Sequence, residues 1–154
     1  MNITYAPHTS DIIPYRVTWL NDPRVTRYLG VTSTTEEAQH EWFKRYEFEN
    51  SKQFFTIFCD GEPVGVVGLT DINRETSSAK VFIMIGNPKL QGKGIGTQAM
   101  RYIIKYANEQ MCLSALSLEV HKDNTPALMC YEAVGFQRFG EANEEDEIIM
   151  KQIP

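Results

Sequence analysis

Gln91-Gly92-Lys93-Gly94-Ile95-Gly96-Thr97 follows the apolar run Ala79-Lys80-Val81-Phe82-Ile83-Met84-Ile85 and opens an amphipathic stretch. A strand that ends in a glycine loop and feeds a helix N-terminus makes an anion site. Glycine lets the backbone approach a ligand closely, and the unpaired N–H groups of the first helical turn point at it. The stretch therefore predicts a phosphate-bearing ligand. A nucleotide P-loop needs Gly-x-x-x-x-Gly-Lys-Ser/Thr, but here Gly94 follows Lys93. A dinucleotide fingerprint needs Gly-x-Gly-x-x-Gly inside a βαβ unit. Gly92 and Gly94 supply only its first half, and the preceding strands read as antiparallel.

A second stretch narrows the choice. From Leu118 the chain runs Leu-Glu-Val-His-Lys-Asp-Asn-Thr-Pro-Ala-Leu-Met-Cys-Tyr-Glu-Ala-Val-Gly-Phe. Ala115, Leu116, Leu118 and Val120 suit a buried strand. Asn124 is a good N-cap, Pro126 sits in the first turn where no hydrogen bond is lost, and Gly135 stands where a helix-ending glycine belongs. Gln91, Gly94 and Gly96 match Gln-x-x-Gly-x-Gly, and the two stretches in this order resemble the GNAT acetyltransferases. The resemblance covers roughly Phe54 to the C-terminus, with a weaker match before it.

The resemblance implies an α/β (α+β) GNAT fold: a mixed central sheet of about six to seven strands with helices on both faces, in a single domain over 1–154. It implies acetyl-CoA as cosubstrate, with no metal. The backbone of Ile83, Met84 and Ile85 would bind the pantetheine arm like an added strand, at a point where that strand usually bulges and splays from its neighbour. The N–H groups of Gln91, Gly92, Lys93, Gly94, Ile95, Gly96 and Thr97 would take the pyrophosphate, and Asn124 would contact the CoA arm. Tyr131 matches the general acid, and a phenol of pKa about 10 suits a thiolate leaving group of similar basicity. Glu119, twelve positions before Tyr131, matches the proposed base of ribosomal-protein alanine N-acetyltransferases. His121 shares its face by strand alternation and is a second candidate. The glutamate that many relatives carry on the central strand is missing, since Lys80 and Phe82 occupy that stretch.

Composition bounds the rest. The 154 residues are 42% hydrophobic and 23% charged, with formal net charge -5, so the chain is not expected to wrap a nucleic acid. Cys59, Cys112 and Cys130 lack metal or CxxC spacing, which suits a reducing cytoplasm. No apolar run reaches membrane-spanning length, and no membrane association is expected.

A pass along the chain predicts a strand near 2–6 and helical material from Asp11 to Leu29, broken by Pro14 and Pro23. Thr34-x-x-Glu37 reads as a capping box, opening a helix with Ala38, Trp42, Phe43 and Tyr46 on one side. Strands are expected at Gln53–Cys59 and Pro63–Thr70 around an Asp60-Gly61-Glu62 turn, and at Ala79–Ile85. A helix over Gly94–Glu109, a strand over Ala115–His121 and a helix over Asn124–Val134 follow. Phe136–Phe139 and Glu147–Lys151 close the chain as paired strands.

Arg16 to Leu29 resembles the N-terminal helices of the branch holding ribosomal-protein N-terminal acetyltransferases and acetyltransferases of nucleotide-linked amino sugars. Trp19, Trp42 and Tyr46 are candidates for an acceptor wall, with core packing as the competing reading. The acidic run Glu141 to Glu147 reads as a solvated hairpin tip, with attraction of a cationic amine substrate to the site mouth as the alternative. The expected activity is direct acetyl transfer to a primary amine of a small molecule or amino sugar. A protein N-terminus as acceptor and a non-catalytic acyl-CoA sensor are the alternatives, and a homodimer is an open expectation.

Overall fold

The computed structural model of the chain describes residues 1–30 and 33–152; positions 31, 32, 153 and 154 of the expected domain lie outside the described residues. It is built on one mixed sheet in the order β1-β2-β3-β4-β5-β7-β6. The strands are β1 (Ile3–Pro7), β2 (Gln53–Cys59), β3 (Glu62–Asn73), β4 (Ser78–Ile85), β5 (Ala115–His121), β6 (Phe136–Arg138) and β7 (Glu147–Gln152). Every neighbouring pair is antiparallel except β4 and β5. Parallel neighbours need a long crossover, and helix α4 (Ile95–Gln110) supplies it.

The β2–β3 turn follows its local chemistry. Asp60 and Gly61 both have positive φ, 50° and 85°, as a two-residue hairpin whose twist matches its strands requires. The central strand β3 is buried from Val64 to Leu69. A register shift near Val64 puts Val64, Val67 and Leu69 on one face and Val66 on the other.

Two cores result. Helices α4 and α5 (Thr125–Ala133) cover one face, where Ile95, Ala99, Ile103 and Ala107 meet Phe55, Ile57, Val67, Leu116, Leu118 and Val120. Removing each such Ile or Leu from water contributes about 1.5–3 kcal/mol. The other face carries α1 (Ile13–Leu20) and α3 (Glu36–Glu47), with Ile12, Trp19, Phe43, Phe54, Val66 and Met84 between helices and sheet. Pro14 lies in the first turn of α1, and Pro23 opens α2 (Pro23–Thr26). The prolines thus start helices, because a first-turn residue needs no intrahelical N–H partner.

Several local expectations are corrected. The cap of α3 is Thr35, whose Oγ1 accepts from the Ala38 N–H at 3.1 Å, and not Thr34 in a capping box with Glu37. Thr34 Oγ1 instead accepts from Gln39 Nε2 at 3.0 Å. Ala38 is exposed, and Gln39 takes its inward place. Gln39 is buried because its Oε1 accepts from Arg16 Nε at 2.8 Å, while the Arg16 guanidinium lies 4.0 Å from the Trp42 ring centre. Burial pulls the Arg16 guanidinium down to about 10. Ala115, at the start of β5, is also exposed.

His8 is buried beside this cluster, with Nδ1 2.8 Å from Thr56 Oγ1. Burial, aided by Arg16, lowers its pKa to about 3. The unfolded chain therefore binds a proton that the folded chain refuses, so His8 makes stability fall as pH drops from about 6.5 toward 3. The His8→Asn variant should show a flatter fall between pH 6.5 and 5, as read by urea unfolding. Gly68 sets a second test. A Cβ there would meet the Gln53 carbonyl and Phe54, and overpacking of this kind costs about 1–3 kcal/mol. The unfolding free energy of Gly68→Ala from urea titration should fall by that amount, whereas an unchanged midpoint would contradict the packing.

Candidate active site

The parallel pairing of β4 and β5 stops early. Ser78 pairs with Ala115, Ala79 with Leu116 and Lys80 with Ser117, and nothing pairs beyond them. The strands diverge from there, so the β4 edge over residues 81–85 has no strand partner on its β5 side. An unpaired edge offers N–H and C=O groups to an extended ligand. Ile83, Met84 and Ile85 lie on it. They pair regularly with Val67, Val66 and Gly65 of β3, so the bulge expected at this point is absent. The irregularity lies in β3, where Asp71 and Ile72 stand opposite Ala79.

The glycine loop lies at the end of β4. Gly92 and Gly94 have φ of 78° and 84°, a region closed to most residues with a Cβ. Gly94 is the N-cap of α4 and provides no side-chain cap, and Gln98 is the first helical N–H to be paired, on the Gly94 carbonyl at 3.1 Å. By contrast, Asp22, Thr35 and Asn124 cap α2, α3 and α5 with their side chains. The N–H groups of Ile95, Gly96 and Thr97 thus begin a 16-residue helix with no internal acceptor. That is an anion seat, and it fits a pyrophosphate. Gln91 and Lys93 are exposed beside it.

Asn124 Oδ1 accepts from the Ala127 N–H at 3.4 Å; Nδ2 takes no part in the cap. Tyr131, one helical turn from Leu128, packs against the α4–α5 core and meets Phe136 edge-on at 6.5 Å. Desolvation raises the phenol pKa above its usual 10, and Cys130 adds to the shift. Tyr131 therefore stays protonated throughout the neutral range. Cys130 Sγ is 3.4 Å from Thr97 Oγ1, which ties α5 to the loop.

Glu119 and His121 alternate with the buried Leu118 and Val120 along β5, so they occupy the face opposite Tyr131. The fork thus separates the expected acid from the expected bases. Glu119 is paired: Lys80 Nζ donates to its Oε1 at 2.8 Å. His121 Nδ1 accepts from the Asp123 N–H at 3.1 Å. With that bond made, the neutral ring carries its proton on Nε2. Tyr28 covers the ring at 4.9 Å, and its hydroxyl donates to the Asp123 carbonyl at 3.4 Å. Glu147 stands opposite His121 in the β5–β7 register. Burial first, then Glu119 and Glu145, raise the Glu147 pKa.

Nothing in the sequence marked Tyr28 as a site residue, and Glu147 stood there only as one member of the acidic run, since only tertiary pairing brings them to β5. Trp19, Trp42 and Tyr46 are core. Trp19 is buried, Trp42 and Tyr46 stack at 5.3 Å, and the Tyr46 hydroxyl accepts from the Phe54 N–H at 2.8 Å. A groove of about 590 Å³ beside Arg101 and Lys105, and one of about 460 Å³ beside His8 and Tyr46, touch neither the fork nor the loop. Among the described residues, no cluster of His, Cys, Asp or Glu could hold a metal, and no helix is long and apolar enough to cross a membrane.

An open fork beside an uncapped glycine-loop helix suits an extended ligand that carries a pyrophosphate. Comparison with known proteins makes the class specific. A model of the acetyltransferase (GNAT) domain matches residues 3–137. Acetyltransferase PseH of Campylobacter jejuni is 30% identical over 134 residues, 87% of this chain and 82% of that protein. Spermidine N(1)-acetyltransferase of Escherichia coli is 34% identical over 103 residues, covering 67% of this chain but only 55% of that protein's length. The structure of spermidine N-acetyltransferase from Vibrio cholerae with CoA and spermine shares the fold, at TM-score 0.87 and 20% identity over 97% of this chain and 92% of that one. The chain belongs to the GNAT acetyltransferase family. It is an N-acetyltransferase, and acetyl-CoA is its cosubstrate.

Gly94 separates backbone strain from ligand contact. A Cβ at Gly94 or Gly61 meets nothing within 4 Å, yet both have positive φ, so Gly→Ala costs about 1–2 kcal/mol at either place. Calorimetry should show weaker acetyl-CoA binding for Gly94→Ala alone. Equal affinity in the two variants would remove the loop from the site.

Proposed function

We propose that the chain acetylates a small cationic primary amine, within one catalytic domain over residues 1–154. The observation that carries this reading is the carboxylate grouping at the fork. Glu119 and Glu147 share one sheet face beside the diverging strands, and a single ammonium, Lys80, neutralises Glu119. An amine acceptor arrives as an ammonium, and such a grouping favours it over a neutral one. The names of the E. coli and V. cholerae relatives point the same way. An amino sugar fits the same chemistry with a single ammonium, where a polyamine carries two or more.

The roles follow from position. The β4 edge at Ile83, Met84 and Ile85 holds the pantetheine arm, the N–H groups from Gly92 to Thr97 hold the pyrophosphate, with Gln91 and Lys93 flanking, and Asn124 steadies the arm between them. Glu119 draws the ammonium to the fork and accepts its proton. The free amine attacks the thioester carbon, a C–N bond forms, the C–S bond breaks, and the second proton of the amine nitrogen leaves to solvent. Tyr131 gives its proton to the departing thiolate, and solvent restores it. His121, held by Asp123 and Tyr28, orients groups next to Glu119. The three free cysteines suit a reducing cytoplasm. A homodimer belongs to the same proposal, and light scattering checks it.

A panel of polyamines, alkyl amines, amino sugars and N-terminal peptides, followed by release of CoA thiol, tests the acceptor class. Turnover confined to peptides would overturn it. Tyr131→Phe should lower kcat by about 10²–10⁴-fold while acetyl-CoA affinity stays within about twofold, because one hydroxyl contributes little contact. Equal loss of both would make Tyr131 structural. No alkaline limb from Tyr131 should appear in kcat below pH 10, since its pKa lies above that of a free phenol.

A further inference from the structure

Lys80 lies on β4, and its surroundings give it two seats. It is the last β4 residue paired to β5, and its Cα partner there is Ser117. Its Nζ lies 2.8 Å from Glu119 Oε1 and 3.8 Å from Asp71 Oδ2. All three side chains are well exposed, at 45%, 38% and 69%, so the ammonium can change partner without leaving water. Asp71 is placed for this. It has φ of 49° and belongs to the β3 irregularity opposite Ala79. A bulge of this kind re-aims a side chain, and here it aims a carboxylate at the lysine.

The Lys80 side chain is also a chemical likeness of the proposed acceptor: a primary ammonium on a flexible four-carbon stem. It rests on the carboxylate to which that acceptor would be drawn. We propose that Lys80 is a specificity-determining residue whose ammonium occupies the acceptor's seat on Glu119, and which moves to Asp71 when an alkyl ammonium arrives. The inference rests on the reading of Glu119 as the acceptor carboxylate. The exchange replaces one ammonium by another, so the charge balance of the fork is kept and each carboxylate ends with a partner. A neutral acceptor cannot make this exchange. The enzyme thereby selects aliphatic ammonium groups that compete with a lysine side chain.

The experiment uses the full chain saturated with CoA, titrated with 1,4-diaminobutane in a calorimeter. Exposed ion pairs are worth at most about 1 kcal/mol, so the changes are modest. Lys80→Met should tighten binding about two- to fivefold, because the seat is empty. Lys80→Arg, which keeps a cation there, should stay near wild type. Asp71→Asn should weaken binding, and the same change made on Lys80→Met should do nothing, since no lysine then needs a second seat. Lys122→Met removes a nearby cation that is held by Asp146 and controls for charge alone.

Glu119→Gln distinguishes the two levels of the account. If Glu119→Gln weakens binding but Lys80→Met does not tighten it, the Lys80 proposal falls and the function proposed above stands. The proposal falls equally if Lys122→Met tightens binding as much, or if Asp71→Asn acts the same with and without Lys80. If Glu119→Gln leaves binding unchanged, or no variant binds the diamine, the reading of Glu119 falls and takes the proposal with it.

Discussion

The structure turns on the loss of backbone pairing between β4 and β5 after Lys80 and Ser117. Hydrogen bonds forgone in the middle of a seven-stranded sheet are costly unless something replaces them. The replacement proposed here is a ligand that behaves as a strand. Other features follow from the divergence. The parallel pair requires α4 as a crossover, which brings an uncapped helix N-terminus to the open end of β4. The slot passes between the two faces of the sheet, so a proton donor on one face and a carboxylate on the other can act on one bond.

The two faces are built differently, and each construction suits its role. The α4–α5 face is a continuous apolar core, mostly aliphatic with Phe55 and Phe136, and burial against it raises the Tyr131 phenol pKa further above the neutral range. The α1–α3 face contains a stack of aromatic rings threaded by polar groups. Arg16 is buried against Trp42 and Gln39, and His8 lies against Thr56. Toward β5 and β7 that covering ends, and the carboxylates near the fork are reached by solvent. The side proposed for acid chemistry is thus sheltered, and the side proposed for the amine is open.

Much of this was legible in the sequence where structure is local. Asp60-Gly61 dictates its turn, Asn124 and Gly135 bound α5, and the glycines before Ile95 can only belong to a loop with positive φ. The family resemblance supplied the mixed sheet of about six to seven strands with helices on both faces, and the strand order came from the fold itself. Local ambiguity explains the small errors. Thr34 and Thr35 both carry hydroxyls, and the pattern cannot tell which one caps α3. The buried Gln39 was invisible because its reason, Arg16, lies 23 residues away. The candidate site was legible as residue types and not as pairings. Lys80 looked like a departure from the family until the fold set it against Glu119, 39 positions later. The bulge moved from β4 to Asp71 for a similar reason, since strand irregularities depend on the partner strand. Tyr28 and Glu147 reach β5 only through tertiary packing.

The central claim is that the unpaired β4 edge and the glycine loop together receive acetyl-CoA. Amide hydrogen exchange of the full chain, with and without a saturating non-reactive CoA thioether, measures this at the backbone itself. The account predicts slowed exchange in two separate segments, residues 81–85 and 92–97, with little change along β1 and β2. Protection confined to other segments, or none in residues 81–85 despite bound ligand, would contradict it.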